Sequence, residues 1–326
     1  MESARNSNSS MTAFLPRVCR IVVILNPVSG RGTGTKLRPA LEEALSRVVT
    51  ESKGSKREVE WEIRETTRQG DGTCLARDVA LEGVDIVAAA GGDGTIGDVV
   101  NGIVGTGARL GIVPLGTGND FARSLGLAGN LDLAVRTLVH GTPRRIDLGR
   151  TGDRYFINAA GCGFDALVAE RVNRGYRWLR GTPAYVLAML QSLATHRAAN
   201  MRITADGESL ELRAMLCCVA NSPGYGGGMR IAPDARIDDG ALDLCILKEA
   251  GTFEFLRAFP RVFRGTHVTH PKFMTRRVTR VRIETDPPIP VLIDGEVNHM
   301  TPIEFEVVPG AIEVMSPDLK EEGGRP

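Results

Sequence analysis

Ala88 to Gly102 reads AAAGGDGTIGDVVNG, and the order of its parts decides the fold. The run VDIVAAA (84–90) is apolar without polar alternation, as expected of a strand covered on both faces in a parallel sheet. Gly91, Gly92 and Gly94 then surround Asp93, after which Ile96, Val99, Val100 and Ile103 recur at helical spacing. Thr95 stands where an N-cap belongs, with Asp98 three residues on as a shortened capping-box acid. The stretch therefore reads strand, glycine turn, helix. Glycines at such a turn admit a ligand close to backbone N–H groups, and the positive end of the helix favours an anion, phosphate above all. Asp93 beside phosphate is repulsive unless a cation or hydroxyl intervenes, so a nucleotide with Mg²⁺ fits better than bare phosphate. A glycine turn that merely starts a helix is the alternative these residues leave open.

The surrounding chain repeats the pattern. Up to about residue 145, strand-like runs (20–27, 59–67, 84–90, 109–117) alternate with amphipathic helices, one carrying Leu37, Leu41, Leu45 and Val48 on a single face. Such alternation predicts a doubly wound α/β domain. Beyond it, hairpin-like segments at 146–161, 201–220, 240–249, 276–285, 291–298 and 303–316 predict a mainly antiparallel second domain.

Three further turns end strands of the first half: NPVSGRGTG (26–34), ETTRQGDGT (65–73) and VPLGTGNDFARSLG (113–126). If the strands are parallel, all four turns fall on one edge of the sheet, in the crevice where open α/β sheets bind ligands. GxxxxGK[ST] is absent, and GDGTIG (92–97) has the bare spacing of GxGxxG, a short motif that does not by itself fix the kind of nucleotide site.

Composition agrees with a soluble globular chain of about two domains. With 40 basic and 39 acidic residues the near-neutral balance argues against general nucleic-acid binding. No apolar segment approaches the ~20 residues that span a bilayer. Residues 1–17 are polar, rich in Ser and Asn and without a signal-peptide core, and read as a flexible tail. The six cysteines show no C-x-x-C spacing and read as buried thiols of a reducing compartment.

NPVSG, GGDGT, PLGTGNDFAR and the later IDGE, in this order, resemble the diacylglycerol kinase catalytic-domain superfamily, most closely its compact bacterial soluble lipid kinases. The resemblance runs from about residue 19 to about 316. It implies an N-terminal α/β domain (18–144, with 309–320 returning to it), a C-terminal β-sandwich (145–308) and an active site in the cleft between them. It places ATP contacts on Asn26, Pro27, Val28, Ser29, Gly30, Thr66, Gly92, Asp93, Gly94, Thr95, Ile96, Gly97, Asp98 and Thr117. At one point the chain departs from the family: Gly97 and Asp98 stand where relatives usually carry Asn-Glu.

In VLIDGEVN, period-two alternation sets Asp294 and Glu296 on one side of an extended segment. Two acids sharing a face raise one pKa or hold a cation, whereas a DG hairpin turn with solvated acids needs neither. The resemblance makes Asp294 the proton acceptor for a lipid hydroxyl, with Glu296 beside it and Asp93 near the metal-nucleotide. PDARIDDGALDL (233–244) offers hard oxygen donors suited to Mg²⁺ or Ca²⁺, or is simply an acidic turn. The resemblance assigns it a structural Mg²⁺ on Asp239 and the carbonyls of Arg236 and Ala241. Arg171, Arg174, Arg177 and Arg180 recur at intervals of three, either a solvated helix face or a basic stripe for anionic lipid.

The implied activity is ATP- and Mg²⁺-dependent phosphorylation of a lipid alcohol, diacylglycerol first, giving phosphatidic acid. The implied location is cytoplasmic, peripheral at the inner membrane face. A sphingoid-base or other lipid-alcohol kinase, an NAD kinase-like soluble kinase and a non-catalytic lipid-binding relative are the alternatives. The apolar helix pattern of 183–196 reads as core.

Overall fold

The computed structural model describes residues 18–32, 34–52, 58–68, 70–174, 182–195 and 197–318. The tail 1–17 and residues 175–181 of the basic stretch 170–181, with Arg177 and Arg180, lie outside them. In the first half, strands β1 (Cys19–Leu25), β2 (Val59–Glu65), β3 (Ile86–Gly91) and β4 (Arg109–Pro114) pair in parallel in the order β2-β1-β3-β4. Every residue of β3 is buried, as its unbroken apolar run requires. Helices α1 (Ser29–Gly32), α2 (Gly34–Glu51), α3 (Gly72–Leu81), α4 (Asp93–Ile103), α5 (Asp120–Ser124) and α6 (Leu131–His140) follow the strands. One apolar core joins Val22, Ile24, Val87 and Ala89 of the sheet to α3 and α4. On the other face Ile21, Val23, Ile86 and Ala88 pack with Leu41, Leu45 and Val48 of α2 and with Leu138 of α6. Alternate residues of β1 and β3 thus feed opposite cores, which is the doubly wound arrangement.

The second half contains β5 (Thr142–Thr151), β6 (Arg154–Phe156), β7 (Ala159–Gly163), β8 (Ala199–Ala205), β9 (Glu208–Ala220), β10 (Leu242–Lys248), β11 (Phe273–Val278), β12 (Arg280–Thr285), β13 (Pro290–Ile293), β14 (Glu296–Met300) and β15 (Ile303–Ser316). All pairings among them are antiparallel. Their inner faces enclose a core that includes Phe156, Cys217, Val219, Val281, Ile283, Ile293 and Phe305, and Phe156 and Phe305 meet edge to face at 5.8 Å between ring centroids. Helices α7 (Phe164–Arg174), α8 (Thr182–Thr195) and α9 (Thr252–Ala258) complete this half. The result is an α/β half followed by a β-sandwich-like half.

Three segments differ from the sequence reading, the first being 240–249, which holds the single strand β10 rather than a hairpin. The segment 303–316 is one continuous strand rather than a hairpin: the VVPGA stretch makes a bulge, with the register shifting between Val308 and Ile312. β11 and β12 do not pair with each other; β11 joins β10, and β12 lies between β8 and β15. β5 and β15 run side by side between the halves, and beyond the bulge Val314 pairs in parallel with Leu110 of β4. Buried Asp147 of β5 fastens this crossing, accepting from Gly240 N at 2.6 Å and Gly310 N at 2.7 Å. Five cysteines are buried and Cys74 is exposed.

Candidate active site

The glycine turns after β1, β3 and β4 are assembled by local sterics. A Cβ on Gly91 would lie 2.2 Å from Thr95 Oγ1, and one on Gly116 would lie 2.4 Å from Gly92 Cα. No side chain fits at either place, so the GGDG and LGTG backbones touch. Asn119 makes the second turn from a left-handed conformation (φ 51°), its amide accepting from Gly116 N and donating to Gly116 O, both at 2.9 Å. Helix α4 begins at Asp93 with Gly92 as its N-cap residue. Thr95 is therefore in the first turn and not the cap; its hydroxyl accepts from Asn26 Nδ2 at 3.1 Å, while Asn26 Oδ1 accepts from Val28 N at 3.1 Å. These bonds tie the Asn26–Gly30 turn to the GGDG turn.

A polar cleft opens where α4 faces the β-rich half. Gly94, Gly97, Asp98 and Asn101 line it on one side; Arg154, Tyr155, Asp294 and Glu296 line it on the other. Asn101 clips the walls together, donating to Tyr155 O at 3.0 Å and accepting from Tyr155 N at 2.9 Å. Arg154 donates to Glu296 at 2.6 Å. Burial, then the nearby charge of Glu296, pushes the Asp98 carboxyl up, against the opposing pull of Arg154. Thr66 follows β2 and bonds through its N–H to Leu25 O at 3.0 Å; it and the Asn26–Gly30 turn are not among the residues lining this cleft.

Asp294 occupies a tight turn with φ 45°, followed by Gly295 at φ 91°. The DG pair is a hairpin turn between β13 and β14, yet its acid is not solvated: Oδ2 accepts from Ile157 N at 2.7 Å, and Oδ1 from Asn158 N at 2.9 Å and Ala159 N at 3.1 Å. The turn also breaks the simple alternation expected for Asp294 and Glu296, although both face the cleft. Burial lifts the Asp294 pKa to about 6, with the charge of Asp93 adding to the rise and the three N–H donors opposing it.

Asp93 Oδ1 accepts from Phe121 N at 3.2 Å at the start of α5. Asp120, which the sequence reading left without a role, reaches across to the other half and accepts from Gly227 N and Gly228 N, each at 2.8 Å. Its carboxyl is pushed up by burial and by Asp93. Asp93, Asp120, Thr117 and Asp294 all line a second passage, which continues past Asp165, Tyr225 and Phe259. Those last three also line an apolar cavity walled by Phe164, Val168, Met189, Leu216, Phe255, Val262 and Phe273. Asp165 is buried, accepts from Tyr225 Oη at 3.3 Å, and is lifted by burial to about 6. It sits in FDALV, a stretch with no motif, and no sequence signal marked it.

The converging charge of Asp93, Asp120 and Asp294 suits a cation. Among the described residues no three His, Cys, Asp or Glu side chains surround a common metal position, so Mg²⁺ here would need phosphate oxygens and water to complete its shell. Arg236, Asp239 and Ala241 lie apart from the cleft, on the loop before β10. Asp239 pairs with Arg277 at 2.6 Å, and burial, then the charges of Asp239 and Asp234, pushes up the half-buried Asp243 carboxyl against the pull of Arg277. The loop keeps hard oxygen donors, but among the described residues no three acidic side chains gather on a metal position there, and a Mg²⁺ ion would have to share Asp239 with Arg277.

Comparison with known proteins agrees with this architecture. Residues 20–151 match the diacylglycerol kinase catalytic domain model, and residues 158–316 match the YegS C-terminal NAD kinase beta sandwich-like domain. The chain is 35% identical to a diacylglycerol kinase of Bacillus subtilis over 93% of its own length and 98% of the relative's. It is also 35% identical to one of Mycobacterium tuberculosis, covering 91% and 95%. A crystal structure of a diacylglycerol kinase from Bacillus anthracis superposes with a TM-score of 0.72 at 25% identity, covering 91% of this chain and 96% of that one. With the glycine turns, the cleft and the IDGE turn in one arrangement, the chain belongs to the diacylglycerol kinase family.

Proposed function

We propose that the protein transfers the γ-phosphoryl group of ATP to the hydroxyl of a lipid alcohol, diacylglycerol first among them. The observation that carries this reading is the position of Asp294, which lines both the polar cleft and the passage leading to the apolar cavity. A nucleotide in the cleft and an acyl chain in the cavity would bring phosphoryl donor and acceptor hydroxyl to the same carboxylate.

In this mechanism Asp294 takes the hydroxyl proton as the lipid oxygen bonds to the γ-phosphorus and the bond from phosphorus to the bridging oxygen breaks, leaving ADP. Its three backbone donors hold the carboxylate in place, and a pKa near 6 leaves it ionised at neutral pH yet more basic than an ordinary Asp. Gly94 and Gly97 bring backbone close to the phosphates, and the N-terminus of α4 favours their charge. Mg²⁺, when bound, neutralises phosphate oxygens, and Asp93 is the residue that would hold it. Catalysis of this kind is mainly positioning and charge compensation.

The apolar cavity, which shares Asp165, Tyr225 and Phe259 with the Asp294 passage, favours a lipid acceptor over a soluble one. The test is radiolabelled ATP offered with a panel of lipid alcohols in mixed micelles, with soluble metabolites as controls. Label in an organic-phase product with diacylglycerol is expected; label confined to aqueous products would overturn the reading. Among the described residues no helix is long and apolar enough to cross a membrane.

A further inference from the structure

The apolar cavity and the passage that reaches Asp294 have Asp165, Tyr225 and Phe259 in common. Two of these three are polar, in a compartment walled elsewhere by Phe164, Val168, Met189, Leu216, Phe255 and Val262. Asp165 is the second residue of α7 and is buried; its Oδ1 accepts from Ala166 N at 2.8 Å and its Oδ2 from Tyr225 Oη at 3.3 Å. The other acid of the cavity wall, Glu254, is matched by Lys272 at 2.6 Å, with His270 3.6 Å away. Among the described residues no cation matches Asp165.

A buried carboxylate without a cation is costly, and an acyl chain needs no such neighbour. Asp165 also keeps unused capacity, since a carboxylate offers about four lone-pair positions and other residues fill two of them. The Tyr225 hydroxyl is held in place from the opposite half. Tyr225 N donates to Met229 O at 3.0 Å and Met229 N to Tyr225 O at 3.2 Å, while Gly227 and Gly228 between them donate to Asp120 of α5. The loop that carries this hydroxyl is thus fastened to the half that carries the glycine turns.

We propose that Asp165 and Tyr225 form a polar subsite for the oxygen-bearing group next to the reacting hydroxyl of the acceptor, so that polyol lipids are chosen over plain long-chain alcohols. A neighbouring hydroxyl donates to a free lone pair of Asp165. A neighbouring ester carbonyl accepts from Tyr225 Oη, whose hydrogen is free to turn. Apolar walls alone discriminate weakly between lipids, whereas a site built to hydrogen-bond a ligand rejects the analogue that leaves its buried polar groups unpaired. The subsite lines the same passage as Asp294, so a lipid held there presents its adjacent hydroxyl toward the carboxylate. The proposal rests on the lipid-alcohol reading for the reacting hydroxyl, but the subsite is also read by binding without turnover.

The test compares dioctanoylglycerol with dodecanol, which lacks a second oxygen, at equal mole fraction in neutral detergent micelles. Turnover is measured with labelled ATP, and binding by displacement of a pyrene-labelled decanol. Wild type is expected to favour dioctanoylglycerol by at least about 10²-fold in kcat/KM, and to be displaced by it at roughly tenfold lower mole fraction. Tyr225→Phe and Asp165→Leu should each bring both ratios near one, through KM for dioctanoylglycerol rather than kcat. Asp165→Asn, which keeps the shape and can still hydrogen-bond, should retain most of the preference. Wild type that binds the two alcohols alike, or binds neither, overturns the proposal. So do Tyr225→Phe and Asp165→Leu variants that discriminate as wild type does, or that lose the preference only together with ATP affinity, because the pair then serves the fold. A protein that phosphorylates both alcohols alike upholds the kinase reading and removes the subsite; one that phosphorylates neither, yet binds dioctanoylglycerol preferentially through these two side chains, upholds the subsite and removes the kinase reading.

Discussion

Asp98 lies directly against Gly72: a Cβ on Gly72 would stand 2.8 Å from Asp98 Oδ2 and 2.9 Å from its Cβ. Asp98 is the shortened acid of the capping-box reading, and its position is coupled to the glycine that opens α3. Gly102, one turn further along α4, is equally close, its Cβ position 2.5 Å from Thr73 O and 2.6 Å from Ala76 Cβ. Two glycines therefore let α3 and α4 approach closely.

Gly97 is different, since a Cβ there meets nothing within 4 Å. Gly97→Asn is expected to fold normally and tighten apparent ATP affinity by about 1 kcal/mol or less, the net worth of one hydrogen bond. Gly72→Ala should instead lower stability by ~1–3 kcal/mol through overpacking. Thermal melts with ATP titration check both; weaker ATP binding by Gly97→Asn would remove the α4 N-terminus from the nucleotide contacts.

Asp294→Asn should lower turnover by roughly 10²- to 10⁴-fold, the usual range for a lost general base, with ATP affinity nearly unchanged. Because the Asp294 pKa is lifted to about 6, wild-type kcat/KM for the lipid should rise with pH through that region as the carboxylate ionises. The residual activity of Asp294→Asn should lack this limb. A limb that survives the substitution assigns it to another group.

Asp165 supplies a stability signature. Its pKa rises from the ordinary 3.8 to about 6 on folding, so ionisation is harder in the folded chain than in the unfolded one. Its favourable contribution is complete below 3.8 and is lost as pH rises through about 6. Asp165→Asn should lose less stability than wild type between pH 4 and pH 7, by about 2 kcal/mol. Parallel melting curves for the two proteins across this window would count against the assignment.

The loop at Asp239 gives a competition experiment. If Mg²⁺ shares Asp239 with Arg277, EDTA should lower the melting temperature of wild type, and Arg277→Ala should enlarge that dependence by freeing the carboxylate. Asp239→Ala should abolish it while leaving ATP affinity unchanged. A wild-type melting temperature indifferent to EDTA would leave Arg277 as the cation of this loop.

Asp147→Ala leaves Gly240 N and Gly310 N without their carboxylate. A loss of about 2 kcal/mol is expected, since two half-buried donors are orphaned together. Denaturant unfolding measures it, and a loss below ~1 kcal/mol would mean that water replaces both bonds.

The α/β half was legible because its signals are local: an unbroken apolar run, a glycine turn and a 3.6-residue period each span a few residues. The same locality misled at 303–316, where Pro309-Gly310 has the composition of a hairpin turn but only bulges a strand whose partners lie in both halves. Asp294 was named from its motif. Its three donors, 135 to 137 residues away in sequence, carry no trace in the local pattern. Asp120 and Asp165 were missed for the same reason, their partners being loops of Gly227–Gly228 and Tyr225 far along the chain. Resemblance supplied roles, whereas tertiary pairing supplies the chemistry that sustains them.

The pairing of Val314 with Leu110 sets an order on biosynthesis. A chain emerging from its N-terminus can build β1 to β4 and their helices early, but the free edge of β4 must wait about 200 residues for its neighbour, until the distal part of β15 has been made. Throughout that interval the nascent α/β half carries an unpaired strand edge, open to pairing with another chain. β15 is at once the last strand of the β-rich half and the strand that closes the first, so neither half can reach its final state from its own consecutive residues alone.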